Sequence, residues 1–429
     1  MRTSYRWERS ALVVVVCVSL VAVGLRLFIA ASTFGTDDVH YWTQFADGVR
    51  AFGPYGVYGH HFDAQYNHPP LAGWMLVMDN HLRTLGFSFP FLVRVPASVA
   101  DGISGYLLFR LCDRPGHRGR AVLVSALFLC NPLAIIVSGF HGNTDPVFVM
   151  FALAALQQAR RPDRALHAGV LLGLSISVKI VPLVLVPLFL MNSGAVGGRR
   201  GLLRFSLGGA SVFAVLWLPA LLSRPGPLVR DVLGYAGNGA HEWGLPVLGN
   251  AVGLPIAGHE MLVRVLAYSA LGLSGLVPAL LARRHTGLVT LRFGLVLAMF
   301  LLLSPSSAMQ YLVWPLAACF LVSLRHAVAY CVAASCFAIV VYSLWNRALP
   351  WGWWEARSTP LPGDVAPLML LAWLALLGVV LQGLAELAAA GRAAGSSPSD
   401  EPPDSSVRTF HGSRSAISRL AAARGTDPT

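Results

Sequence analysis

An all-helical protein that crosses the membrane many times is the fold class this sequence predicts, and three observations predict it. The 429-residue chain is 55% hydrophobic and only 12% charged, where soluble domains carry about a quarter charged residues, and its mean hydropathy is +0.61. Apolar runs of spanning length, roughly 17 to 25 residues, recur from Ala11 to beyond Leu387. The arginines cluster in Arg2/Arg6/Arg9, Arg110/Arg114/Arg118/Arg120, Arg160/Arg161/Arg164, Arg199/Arg200/Arg204 and Arg283/Arg284/Arg292, between every second pair of apolar runs. That is the positive-inside pattern. The net charge of +12 is therefore a matter of topology, and no nucleic-acid partner is expected.

With the amino terminus inside, helices are expected near 11–31, 89–111, 121–139, 146–158, 165–179, 181–191, 205–222, 261–282, 288–303, 309–324, 326–345 and 365–389. Taken as about 12 crossings, they return both termini to the cytoplasm. The first run is expected to remain as a span, since no small-residue cleavage site follows it. The helices at 146–158, 165–179 and 181–191 are shorter than a full span and are expected to tilt, extend or break inside the protein. Residues 1–390 then form one membrane domain, with outer segments 32–88 and 223–260 and a shorter one at 346–364. From 391 to 429 the composition turns to Ser, Pro, Gly and scattered charge, too poor in apolar groups to offset ordering entropy, and a disordered cytoplasmic tail is expected.

The six cysteines lie in or beside apolar runs without metal-ligand spacing and read as small buried apolar side chains. The inner loops are short and hold no phosphate-cradling glycine motif. Chemistry is therefore expected on the extracytoplasmic face, where the unusual polar residues fall.

Asp37 and Asp38 stand side by side in GTDDVHYW just after the first span. Val39, Trp42, Phe45/Ala46, Val49 and Phe52 follow at helical spacing, as in a helix lying along the membrane surface. A cap at Thr36 or Asp37 and a carboxylate at the helix start explain one acid. A second carboxylate beside the bilayer is costly, and ionisable groups there are often functional. Downstream, PYGVYGHHFDAQYNHPPLAGW can line a sugar-sized pocket, with His68 in it. His60, His61, Asp63 and His68 also raise a metal reading, which lacks a fixed ligand spacing such as HExxH.

Arg94 and Asp101, seven residues apart on the second span, share a helical face and read as an ion pair. The turn GFHGNTDP places His141, Asn143, Thr144 and Asp145 between two apolar helices on the face of Asp38, where helix capping and substrate contact both fit. Lys179 is the only lysine in the chain and sits at the outer end of a helix in apolar surroundings. It reads either as a snorkelling side chain or as a point charge for a phosphate. Pro182 and Pro187 break the next helix near it. Gln310, Tyr311 and Trp314 mark another outer turn.

In order and spacing, GTDDVHYW, NHPPLAGW, RVPASVADGISGYLLFRL, GNTDP, SVKIVPLVLVP and SPSSAMQYLVWPL resemble the GT-C class of membrane glycosyltransferases over about residues 10 to 325. The resemblance implies a polyprenyl-phosphate sugar donor, an acceptor that is a lipid-linked molecule or a glycan, and an aspartate of the first outer loop as general base. Asp38 matches that aspartate better than Asp37 by its position relative to Gly53 and Pro54. Asn67-His68 stands where tyrosine is common in that class, and Ala308-Met309-Gln310 where histidine or acidic residues are.

The expected site therefore comprises Asp38 as base and Asp37 as its helper, Lys179 with Arg94 at the departing phosphate, and His68, His141, Asn143, Asp145 and Gln310 around the sugar. No cofactor is called for, although the chemistry would accommodate a divalent cation. Hexose transfer, mannose before glucose, with inversion at the anomeric carbon is the expected activity. A transporter or lipid flippase, with Asp101 and Lys179 as translocation sites, and a polymerase or ligase of lipid-linked glycans are the alternatives. The first would hold its key charges near the bilayer midplane. The second would need more basic residues on the outer face.

Overall fold

A computed structural model describes residues 2–235, 243–254, 256, 259–281, 286–346 and 355–395. The expected tail disorder and parts of the outer segments 223–260 and 346–364 fall outside the described residues. The chain divides into a unit of residues 1–391 and a second, 392–429, of which only the first residues are described.

The fold is all-α. Helix α1 (Arg2–Ser32) is followed by a two-residue strand β1 (Gly35–Thr36), α2 (Asp37–Gly56), α3 (Pro70–Thr84), the single turn α4 (Phe89–Leu92) and α5 (Val95–Cys112). Helices α6 (Arg118–Leu129) and α7 (Pro132–Ile136) lead into a π-helical turn, Val137–His141. Next come α8 (Asp145–Ala159) and α9 (Ala165–Val178), then a 3-10 turn at Val181–Leu185 and α10 (Val186–Val212). A second π turn, Phe213–Trp217, joins α10 to α11 (Leu218–Ser223), followed by α12 (Pro225–Leu228), α13 (Gly244–Ala251), α14 (Glu260–Leu280) and α15 (Val289–Leu303). After the 3-10 turn Met309–Val313 come α16 (Leu316–Val322), α17 (Leu324–Asn346), strand β2 (Glu355–Ala356) and α18 (Ala366–Gly395). The strands pair in parallel, Gly35 opposite Glu355 and Thr36 opposite Ala356.

Each expected helix forms, but the count of 12 crossings is not reproduced. Among the described residues, 7 stretches are long and apolar enough to span, or 8 if α6 and α7 with its π turn, bent by 46°, make one. Length is the reason: α8 has 15 residues and α9 has 14, short of a full span. The expected helices 181–191 and 205–222 belong to one helical stretch, Val181–Ser223. That stretch is not straight. Gly198 takes φ 59°, and a Cβ on Gly201 would lie 2.5 Å from the Ser193 carbonyl oxygen, whereas residues eight apart in a straight helix are about 12 Å apart. The chain folds back there, and its second limb packs so closely on α9 that a Cβ on Gly208 would meet the Leu166 carbonyl oxygen at 2.2 Å.

Lipid accounts for the outer surface. Val21 and Phe28 of α1 and Met261 and Tyr268 of α14 are all more than 60% exposed, a state that soluble proteins avoid over large areas and bilayer-facing helices require. The α2 helix differs from expectation. Its apolar face (Val39, Trp42, Phe45, Ala46, Val49) is buried against protein, in a cluster with Tyr58, Tyr66, Leu76, Phe89 and Trp217, each large side chain contributing about 1.5 to 3 kcal/mol.

The ion pair inside the bundle also differs. Asp101 pairs with Arg26 of α1 (Nε to Oδ2, 3.1 Å) and not with Arg94. Arg26 also donates to Ser138 Oγ at 2.9 Å and to the Ala22 carbonyl at 3.1 Å. Arg94 is fully buried and donates to five backbone carbonyls, of Ala30, Thr33, Pro90, Gly139 and Phe140, and to Thr33 Oγ1. It thus ties the end of α1 to the π turn that carries His141. A shared helical face licensed the Arg94–Asp101 pairing, but α1 offered each residue a closer partner.

Replacing Arg26 by Met leaves the Asp101 carboxylate buried without its cation, a change that costs roughly 3 to 5 kcal/mol. The double variant Arg26→Met/Asp101→Leu should lose less than Arg26→Met alone, measured as thermal unfolding of the purified protein in detergent.

Candidate functional site

The site forms where the starts and ends of five helical segments meet. Thr36 caps α2 by accepting from the Asp38 amide at 3.3 Å, and its hydroxyl donates to the His141 carbonyl at 2.7 Å. One threonine therefore fixes both the helix start and the π turn opposite it. The two backbones can approach because of glycine. Gly35 (φ 108°) and Gly142 (φ 86°) each stand where a Cβ would come within 2.8 Å of Val39 Cγ2, and one on Gly35 would also lie 2.7 Å from the Phe140 carbonyl oxygen.

This approach brings Asp38 to His141 and Asn143. His141 Nε2 lies 3.0 Å from Asp38 Oδ2, and Asn143 Nδ2 donates to the same oxygen at 3.2 Å. The Tyr342 hydroxyl of α17 lies 2.6 Å from His141 Nδ1. A phenol donating to Nδ1 leaves the proton on Nε2, directed at the carboxylate, which is the tautomer these partners select. Both bonds reach Oδ2, so Oδ1 stays available. Burial favours the neutral acid, but interaction with His141, the hydrogen bonds of His141 and Asn143 and the Lys179 charge outweigh it, and Asp38 is held below the ordinary carboxylate value.

Asp38, His68, Asn143, Lys179 and Gln310 line one cleft, together with Tyr41, Trp42, Phe45, Ala64, Gln65, Asn67, Tyr235 and Tyr311. Its volume is about 100 Å³, and it opens to solvent. His68 stacks on Trp42 with ring centroids 4.2 Å apart. Burial, helped by the Lys179 charge and opposed by Asp38, lowers its pKa to about 3, so its imidazole is neutral in the physiological range. Burial likewise pushes the Tyr235 phenol up to about 12.

Lys179 is not a free cation. Its ammonium pairs with the fully buried Asp145 carboxylate and sits 4.9 Å from the Tyr311 ring centroid and 5.4 Å from that of Trp314. The side chain is 15% exposed, towards the cleft it lines. Asp145 acts on the site through this lysine and is not a lining residue.

Two expected members are elsewhere. Asp37 does not line the cleft; its carboxylate accepts from the backbone amide and hydroxyl of Ser358, just past β2. Arg94 is consumed by the carbonyls named above and does not reach the cleft. Of the residues behind the metal reading, His60 stacks on Phe52, Asp63 accepts from Gln44, and His68 faces Trp42. Among the described residues no group of three or more His, Cys, Asp or Glu converges. Tyr342 and Tyr235 were not singled out from the sequence. The only signal for Tyr342 was a tyrosine near the outer end of an apolar run.

No family model matches the chain. Among curated proteins the chain is similar to GPI mannosyltransferase 1. The Saccharomyces cerevisiae protein of that name is 32% identical over 122 residues, which is 28% of either chain, and the Kluyveromyces lactis protein 28% identical over 119 residues, again 28% of either. This chain spans about a third or less of the length of the curated relatives it matches. Among solved structures it is similar to ArnT from Cupriavidus metallidurans bound to undecaprenyl phosphate, with TM-score 0.49 and 17% identity over 89% of this chain and 78% of that one. The apo form of the same protein gives TM-score 0.42 and 14% identity over 91% and 79%.

Lys179→Met should destabilise the protein by roughly 3 to 5 kcal/mol, because it strands the buried Asp145 carboxylate. Adding Asp145→Asn to that variant should restore part of the loss, read as the thermal unfolding midpoint.

Proposed function

We propose that this protein is a membrane hexosyltransferase that moves a sugar, mannose before glucose, from a polyprenyl-phosphate donor to a lipid-linked or glycan acceptor. The observation that carries the reading is a single cleft holding an ionised carboxylate with one uncommitted oxygen, Asp38, and a cation, Lys179. The similarity to proteins named GPI mannosyltransferase 1 supports transfer of mannose.

A lipid phosphate is already a competent leaving group, so the protein must supply a base, a counter-charge and alignment. Asp38 Oδ1 accepts the proton of the acceptor hydroxyl as its oxygen attacks the anomeric carbon. The bond from that carbon to the phosphate oxygen breaks, the electron pair leaves with the polyprenyl phosphate, and one displacement inverts the centre. His141 and Asn143 hold the base in place, and Tyr342 fixes the tautomer of His141. Lys179, held in place by Asp145, stabilises the negative charge on the departing phosphate. His68 and Gln310 face the sugar.

The cleft is assigned to the extracytoplasmic side because arginine-rich stretches lie at the other ends of the helical runs that lead to it: α1 starts at Arg2 and ends at Ser32, just before Asp38, and α6 starts at Arg118 and its continuation ends at His141. By the positive-inside rule those stretches are cytoplasmic. The arrangement weighs against a transporter. The cleft charges sit at helix ends, and the Arg26–Asp101 pair inside the bundle is buried and hydrogen-bonded to itself and to Ser138, not poised around a vacant site at mid-membrane.

Incubating the purified protein with short-chain polyprenyl-phosphate mannose or glucose and acceptor lipids should give a glycosylated product of inverted configuration. Asp38→Asn should lower turnover by roughly 10² to 10⁴ with folding retained. Labelled lipid translocated equally by wild type and variant, with no product, would sink the reading.

Because the Asp38 carboxyl is held below its ordinary value, activity should persist through mildly acidic pH and fall only as the carboxylate protonates. His141→Ala removes a hydrogen-bond partner that lowers this value and leaves the burial that raises it. The acid limb of the pH–rate profile should then move to higher pH, whereas a purely structural role for His141 would lower the rate at every pH alike.

A further inference from the structure

At the end of the bundle remote from Asp38 lies a second cavity of about 400 Å³, larger than the cleft. It is formed where α5 ends, α6 and α15 begin, and α16 and α18 approach their ends, and its polar rim is Arg114, His117, Arg120 and Glu386. The rest of its wall is largely apolar side chains, among them Leu288, Leu291, Phe320 and Leu321. From Arg118 to His141 the chain runs through two helical arms of about 17 Å each at 1.5 Å per residue, bent by 46°, so the two ends lie about 30 Å apart.

We propose that this cavity binds the phosphate headgroup of an anionic phospholipid. Arg118 beside it is neutralised by Asp113 at 3.1 Å, but Arg114 and Arg120 have no carboxylate partner among the described residues. Glu386 accepts from Gln382 at 2.8 Å, so the rim sets two guanidinium charges against one carboxylate. Guanidinium forks match phosphate oxygens, and basic pockets between membrane helices suit anionic headgroups. Topology alone accounts for arginines on this face. It does not account for their standing around a cavity whose wall joins these polar groups to Leu288, Leu291, Phe320 and Leu321, the mixed lining that a headgroup with its glycerol and first acyl carbons needs. A soluble anion would gain nothing from Leu291 and Phe320.

The test is thermal unfolding of the full-length protein in neutral detergent, titrated with dioctanoyl-phosphatidylglycerol, with dioctanoyl-phosphatidylcholine or with inorganic phosphate. Phosphatidylglycerol should raise the midpoint saturably, and the other two should not. Arg114→Ala/Arg120→Ala, both exposed positions, should unfold at the wild-type midpoint without lipid and need roughly 30-fold more lipid for the same rise, about fivefold per basic side chain. Glu386→Gln removes a like charge and should need several-fold less. A rise that survives the double substitution, no rise with phosphatidylglycerol, or an equal rise with inorganic phosphate would overturn the proposal.

Discussion

The Asp38–His141 hydrogen bond joins two residues 103 positions apart in the chain, and most of the cleft's order can be traced to it. A carboxylate beside a bilayer resists ionisation, since burial favours the uncharged acid. Here the imidazole, the Asn143 amide and the Lys179 charge reverse that preference. They can do so only because the π turn at Val137–His141 turns His141 out of the run begun by α7, a re-aiming that π turns commonly provide at working sites. The turn is held from both sides, by Thr36 on the His141 carbonyl and by Arg94 on the carbonyls of Gly139 and Phe140. Arg94 thus serves the site without touching it.

What the sequence made legible follows from cost. Asp38, His141, Asn143, Lys179 and Gln310 stood out because polar groups at the ends of apolar runs are expensive and must be accounted for, and all but His141 line the cleft, with His141 bonded to Asp38 behind it. Pairings were less legible, because a seven-residue spacing says which residues share a face and nothing about which neighbouring helix meets that face. Arg26 and Asp101 lie 75 residues apart and only the crossing of α1 over α5 brings them together. Tyr342 was hidden for a related reason: in the run of α17 a tyrosine is compatible with an interfacial belt, and its service to His141 depends on a contact 201 residues away. Helix existence was read well and crossing number poorly, since α8 and α9 are apolar without being long.

The Lys179–Asp145 pair places a cation at the cleft wall with its counter-ion behind it. Asp145 is fully buried behind the lysine, so their attraction fixes the ammonium on one side while the aromatic faces of Tyr311 and Trp314 border it. Buried ion pairs are seldom retained for stability alone. A cation held in a cleft of this burial needs a counter-ion that desolvates with it, and a carboxylate at the start of α8 also interacts favourably with that helix end.

The two adjacent acids at the start of α2 divide the work by geometry. Successive side chains on a helix point about 100° apart, so if Asp38 faces the cleft, Asp37 cannot. Asp37 instead receives the Ser358 amide and hydroxyl, next to the β1–β2 pairing of Gly35 and Thr36 with Glu355 and Ala356 and the 3.1 Å contact of His40 with Glu355. Residues 355–358 are thereby fastened to the same turn that presents Asp38, Asn346 at the end of α17 donates to the Glu355 carbonyl, and α17 itself carries Tyr342. Both ends of the Tyr342–His141–Asp38 chain are consequently attached to one structural piece. A displacement of the 355–358 segment would be felt at the carboxylate through α2 and at the imidazole through α17, which is the physical reason for two carboxylates in a region where one would satisfy a helix cap.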